Sequence, residues 1–180
     1  MNKKKAIIRL SISILVFIFF IGFAHRLVFN VFSGRVHFPN AHVGENLTME
    51  DGNKFTVLRR LQVEGNNNRA QGYAVFIVRF KFKSLALNIN KHLSMIPAPF
   101  LVGMEGFREK YWTFDEKTGC FQGIYQWESK ELAEKYPDSF IFKLMTKRAA
   151  PGTMSYEIIP NTELSQYIKR LAAKIEEVAL

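Results

Sequence analysis

The stretch "YAVFIVRFKFK", 73–83, restricts the fold more than any other. Ala74, Phe76, Val78, Phe80 and Phe82 fall on one side of an extended chain, and Tyr73, Val75, Ile77, Arg79 and Lys81 on the other. A period of two with one wholly apolar side is the pattern of a strand whose sheet buries that side. The same alternation returns in "CFQGIYQWE", 120–128, where Phe121, Gly123, Tyr125 and Trp127 oppose Gln122, Ile124, Gln126 and Glu128. "GFREKYWTF", 106–114, precedes it, and "DEKTG" is the turn between them, with Gly119 at the position that needs a left-handed backbone. "KFTVLRRLQVE", 54–64, and "GTMSYEIIP", 152–160, read as further strands.

Helices are expected between these strands. "SLALNINKHLSM", 84–95, places Leu85, Ile89 and His92 along one side, and the prolines of "IPAPF" stop it. Ser129 and Ser139 are placed to cap "KELAEKY" and "FIFKLMTKR". Thr162 or Asn161 is the expected cap of a last helix with an apolar stripe at Leu164, Ile168, Leu171, Ile175 and Val178. The order strand, helix, hairpin, helices, strand predicts an α+β fold, a ferredoxin-like subunit with an antiparallel sheet. A second greasy sheet face needs cover, which a second subunit would supply.

Charge divides the chain unevenly. The net charge is +9, yet the six basic residues before position 36 face no acidic one, so residues 36–180 carry +3. That balance argues against a nucleic-acid surface. The basic residues flank an apolar run, Leu10–Ala24, of 15 residues. Extended through Ala6–Ile8 or Leu27–Phe32, the run reaches the length of a transmembrane helix. A cleaved signal peptide and an interfacial helix are the other readings. The expected organisation is a membrane anchor at 1–32, a linker with a possible β-hairpin extension at 33–72, the α+β domain at 73–160 and an amphipathic helix at 161–180. The expected location is the membrane, single-pass, with the folded domain outside the cytoplasm by the positive-inside rule.

The motifs "GFREKYW", "DEKTG", "GIYQWES" and "AEKY", with "FIFKLMTKRAAPGTMSYEIIP", resemble the dimeric α+β-barrel proteins, particularly the small mono-oxygenases of the YdhR-like group. The resemblance covers 73–160. It implies a homodimer and a cavity between sheet and helices. By position, Lys110, Trp112, Tyr125 and Trp127 match recurrent hairpin residues of that group.

These residues and one histidine make up the candidate site. His92 is the candidate base, or a haem ligand, because imidazole titrates near neutrality. Tyr125 would orient a substrate oxygen, or satisfy a buried backbone group. Trp112 and Trp127 would hold a flat ring, or fill the core. Lys110 would stabilise an oxyanion, or face water at a strand edge. The reading is a membrane-tethered, mono-oxygenase-like protein that binds or oxidises a small hydrophobic aromatic or quinone-like compound without a cofactor, haem and flavin remaining open. The other reading is a non-catalytic ligand-binding or assembly module. Cys120 is the chain's single cysteine, so it forms no disulfide within the chain.

Overall fold

The structure is a computed structural model that describes residues 18, 20–65, 72–84 and 87–178. Seven strands form one sheet: β1 (Val36–His37), β2 (Asn46–Thr48), β3 (Lys54–Val63), β4 (Ala74–Phe80), β5 (Phe107–Asp115), β6 (Cys120–Trp127) and β7 (Ser155–Ile159). Among the described residues six α-helices accompany them: α1 over 20–32, α2 (Leu87–Leu93), α3 (Ala98–Val102), α4 (Lys130–Lys135), α5 (Phe140–Arg148) and α6 (Leu164–Val178).

The spatial order β1-β3-β5-β6-β4-β7 is antiparallel throughout, and β2 also pairs with β3. Four adjacent strands, β5-β6-β4-β7, with α2 and α3 between β4 and β5 and α4 and α5 between β6 and β7, make the split βαβ arrangement of a ferredoxin-like fold. The hairpin forms as its sequence dictates. Asp115 Oδ1 accepts from Lys117 N at 2.9 Å, and Gly119 has φ +71°. Ser129 and Ser139 cap α4 and α5 by accepting from Leu132 N and Phe142 N.

Period two sorts the side chains into two cores. On the inner face, Phe76, Phe80, Phe114, Phe121, Tyr125 and Trp127 pack against α3, α4, α5 and the single turn Tyr136–Asp138. On the outer face, Val75, Ile77, Tyr111 and Ile124 lie under Leu47, Met49, Leu164, Tyr167, Ile168 and Leu171. The face that a second subunit was expected to cover is therefore covered by this chain's own β2 segment and α6.

Three expectations about the helices change. The helix at 84–95 divides, because Pro97 and Pro99 start a separate short helix, α3. Neither Thr162 nor Asn161 caps α6. Thr162 Oγ1 donates to Pro160 O, while Leu164 N is satisfied across the fold by Gln126 Oε1 at 2.8 Å. The third correction concerns the membrane. Among the described residues no helix is long and apolar enough to cross a membrane, so the transmembrane helix, lipid partner and single-pass location are not supported. Residues 1–17 and 19 of the expected anchor lie outside the described residues. The polar residues of α1 tie it to the domain instead. Asn30 Nδ2 donates to Val102 O at 3.0 Å, Arg26 approaches Glu105 at 3.6 Å, and Leu27 packs on the inner core.

Candidate functional site

A missing side chain opens the site. Trp112 on β5 lies opposite Gly123 on β6, so β6 projects no side chain from the inner face at that register position. The ring of Tyr125 leans into the notch: a Cβ on Gly123 would stand 2.6 Å from Tyr125 Cε2 and 3.0 Å from its hydroxyl oxygen. The resulting cavity measures about 60 Å³. Lys110, Trp112, Gly123 and Tyr125 line it from the sheet, and Ile141, Met145 and Arg148 from α5. Its mouth lies beside the exposed side chains of Ile96 and Leu144.

Trp112 is fixed there. Its indole N–H donates to Ser94 O at 2.9 Å. Tyr125 is wholly buried and shares a hydrogen bond of 3.2 Å with Tyr136. Burial pushes the pKa of both phenols up, so both stay protonated near neutral pH.

Lys110 is the unusual group. It is only 4% exposed, and its amine is flanked by the Trp112 ring at 4.2 Å and the Tyr125 ring at 4.6 Å. The amine makes no hydrogen bond or ion pair among the described residues, and no carboxylate lines the cavity. Two opposing effects act on its charge. A ring face attracts an ammonium by about 0.5–2 kcal/mol. Removing that ammonium from water costs several kcal/mol. Desolvation wins, and it holds the amine's pKa well below the ordinary lysine value.

Arg148, half-buried at the end of α5, is the second basic group. It stacks over Phe82 at 4.8 Å and donates to Asn90 Oδ1 at 3.2 Å, with no carboxylate partner among the described residues. The lining is thus mostly apolar, with one amine, one guanidinium and no acid.

The expected site residues divide. Lys110, Trp112 and Tyr125 line this one cavity, and Lys110 does not face water at a strand edge. His92 is exposed on α2 and is not among the lining residues. Trp127 is buried in the inner core against Phe107 and Tyr136, also away from the lining. Sequence reasoning missed Arg148, Met145 and the role of Gly123. One signal for the grouping was present: Lys110, Trp112 and Phe114 share a strand face at spacing two. Nothing in the sequence placed the end of α5 over them.

Larger clefts offer less chemistry. An apolar cleft of about 300 Å³ lies between α1, α3 and α5, lined by Phe23, Phe100, Met104 and Phe140 among others, with Ser139 its one polar lining side chain. A polar cleft of about 350 Å³ contains Arg108, Glu109 and Glu163. There Glu109 is paired with Arg60, and Arg108 with Glu128.

No family model and no curated protein matches the chain. Among solved structures it is similar to a ferredoxin-fold protein related to antibiotic biosynthesis monooxygenases from Listeria monocytogenes, at 16% identity and a TM-score of 0.49, covering 67% of this chain and 71% of that one. It is similar to a monooxygenase-like protein from Listeria innocua, at 13% identity and a TM-score of 0.45, covering 61% and 65%. An anthrone oxidase-like protein is similar at 19% identity and a TM-score of 0.40, covering 61% and 57%. These likenesses concern fold and not chemistry, and the ferredoxin-like assignment stands on the strand order itself.

One finding corrects the expectation of a membrane-tethered oxygenase. The described residues contain no membrane-spanning helix.

Proposed function

We propose that the chain binds a short-chain acid of about five or six heavy atoms, with its apolar tail in the cavity and its carboxylate at Arg148. One observation carries this reading: Lys110 and Arg148 line an otherwise mostly apolar cavity that contains no acidic side chain. Size supports it. A water-sized group needs roughly 10–15 Å³ of such volume, so about 60 Å³ holds four to six of them. Charge supports it as well, since a guanidinium presents a fixed fork of donors that matches a carboxylate.

The test uses Trp112 as reporter. In a Trp127→Phe background Trp112 is the only tryptophan, and it lines the cavity. Titration with butanoate is expected to change its emission saturably, while butanol at equal concentration does not. Arg148→Met is expected to weaken butanoate binding roughly tenfold or more, the value of a hydrogen bond to a charged group at about 1.5–3 kcal/mol. An emission change that never saturates, or an affinity untouched by Arg148→Met, overturns the reading.

A further inference from the structure

The amine of Lys110 has no structural duty. An ion-pairing lysine needs a carboxylate, and none faces it. A snorkelling lysine sends its nitrogen to water, yet this side chain is 4% exposed at the middle of the sheet's inner face. Methionine or leucine would pack the same place without removing a polar group from water. Three features of the surroundings suit a nucleophile instead. The rings of Trp112 and Tyr125 hold the nitrogen at 4.2 and 4.6 Å, the cavity gives it an approach path, and the Tyr125 hydroxyl sits in the Gly123 notch of that same cavity.

We propose that Lys110 is a covalent carbonyl-binding residue, which forms an imine with a short oxo acid whose carboxylate lies at Arg148. This rests on the acid-binding reading above and adds the second functional group of the ligand. The Lys110 nitrogen forms a bond to the carbonyl carbon, and the carbonyl oxygen becomes the hydroxyl of a carbinolamine. The carbon–oxygen bond then breaks. The oxygen leaves as water with the two protons that the amine gave up, so no oxidant, reductant or other reactant is consumed. Tyr125 donates a hydrogen bond to the departing oxygen.

Availability of the lone pair sets the selectivity. An ordinary lysine, with a pKa near 10.4, is unprotonated in roughly one molecule in 2,500 at pH 7. Burial holds the Lys110 amine toward the reactive neutral form. Exposed lysines thus label slowly where Lys110 labels fast.

The experiment treats the full chain at pH 7 with pyruvate, then with borohydride, which fixes an imine as a stable secondary amine for peptide mass mapping. One adduct per chain at Lys110 is expected. It should be lost in Lys110→Met and Lys110→Arg, and slowed about tenfold in Tyr125→Phe. Arg148→Met should raise the pyruvate concentration for half-labelling about tenfold and leave labelling by butanal, which has no carboxylate, unchanged. Label spread over exposed lysines, or retained in Lys110→Met, overturns the proposal. Saturable butanoate binding with no adduct refutes the imine and leaves the acid-binding reading standing. Loss of both refutes the two together. A circular dichroism spectrum and a cooperative urea transition like those of the parent show that Lys110→Met is folded.

Discussion

Replacing Lys110 by methionine should change how stability depends on pH, and the sign follows from its burial. An unfolded lysine binds a proton below about pH 10.4. In the folded chain desolvation depresses that affinity strongly. Between the two values the unfolded state holds one more proton than the folded state, so stability rises as pH rises. The slope is about 1.4 kcal/mol per pH unit for one proton, and a fully neutral amine gives about 2.7 kcal/mol between pH 7 and 9. Above pH 9 an opposite effect enters. The phenols of Tyr111 and Tyr167 are pushed up to about 12 by burial, so unfolded tyrosines lose protons first and stability falls. Urea titrations of both proteins at pH 7 and pH 9 isolate the lysine, because every other group cancels in the double difference. The parent chain should gain up to about 2.7 kcal/mol more than Lys110→Met over that interval, and the variant should be the more stable protein at pH 7. A double difference near zero, or one of opposite sign, would show that the amine stays charged in the folded chain. The nucleophile argument would then fail with it.

Three other perturbations test the architecture. Gly123→Ala puts a methyl group into the Tyr125 ring, so it should cost about 1–3 kcal/mol by overpacking in thermal or urea unfolding and abolish the butanoate response of Trp112. Leu164→Ala removes a fully buried side chain from under α6 and should cost about 2–5 kcal/mol, with hydrogen exchange accelerated across Val75 and Ile77 on the outer face. Ser139→Ala deletes the acceptor for Phe142 N and should cost about 1 kcal/mol, whereas Ser165→Ala, an exposed position whose hydroxyl bonds only Glu163 nearby, should lie within about 0.5 kcal/mol of the parent.

The strands were legible because their information is local. Alternation at 73–83 and 120–128 assigns each side chain to a face without reference to the rest of the chain, and both cores follow that assignment. The Asp115–Gly119 turn and the serine caps are local as well. What sequence could not supply was the occupant of each face. β3 joins the sheet beside β5 with Leu61 opposite Lys110, a pairing across some 49 residues of sequence that no short pattern encodes. The apolar stripe of α6 announced a packing surface without naming the sheet under it. The N-terminal hydropathy pattern hid Asn30 and Arg26, which act as contacts to the 102–105 segment. For the site, the grouping of Lys110 with Trp112 was within reach of the strand period. Arg148 was not, since its place depends on how α5 crosses the sheet.

The cover of the outer face by β2 and α6 has a consequence for mass action. A sheet roofed by another molecule loses its roof on dilution, and its melting point tracks protein concentration. Here the roof is tethered through a few residues after β7, so it closes as a first-order event at the effective concentration of a short linker. The Gln126 side chain that holds Leu164 N latches this closure at the helix's first turn, and the midpoint of unfolding should read the same at micromolar and at millimolar chain.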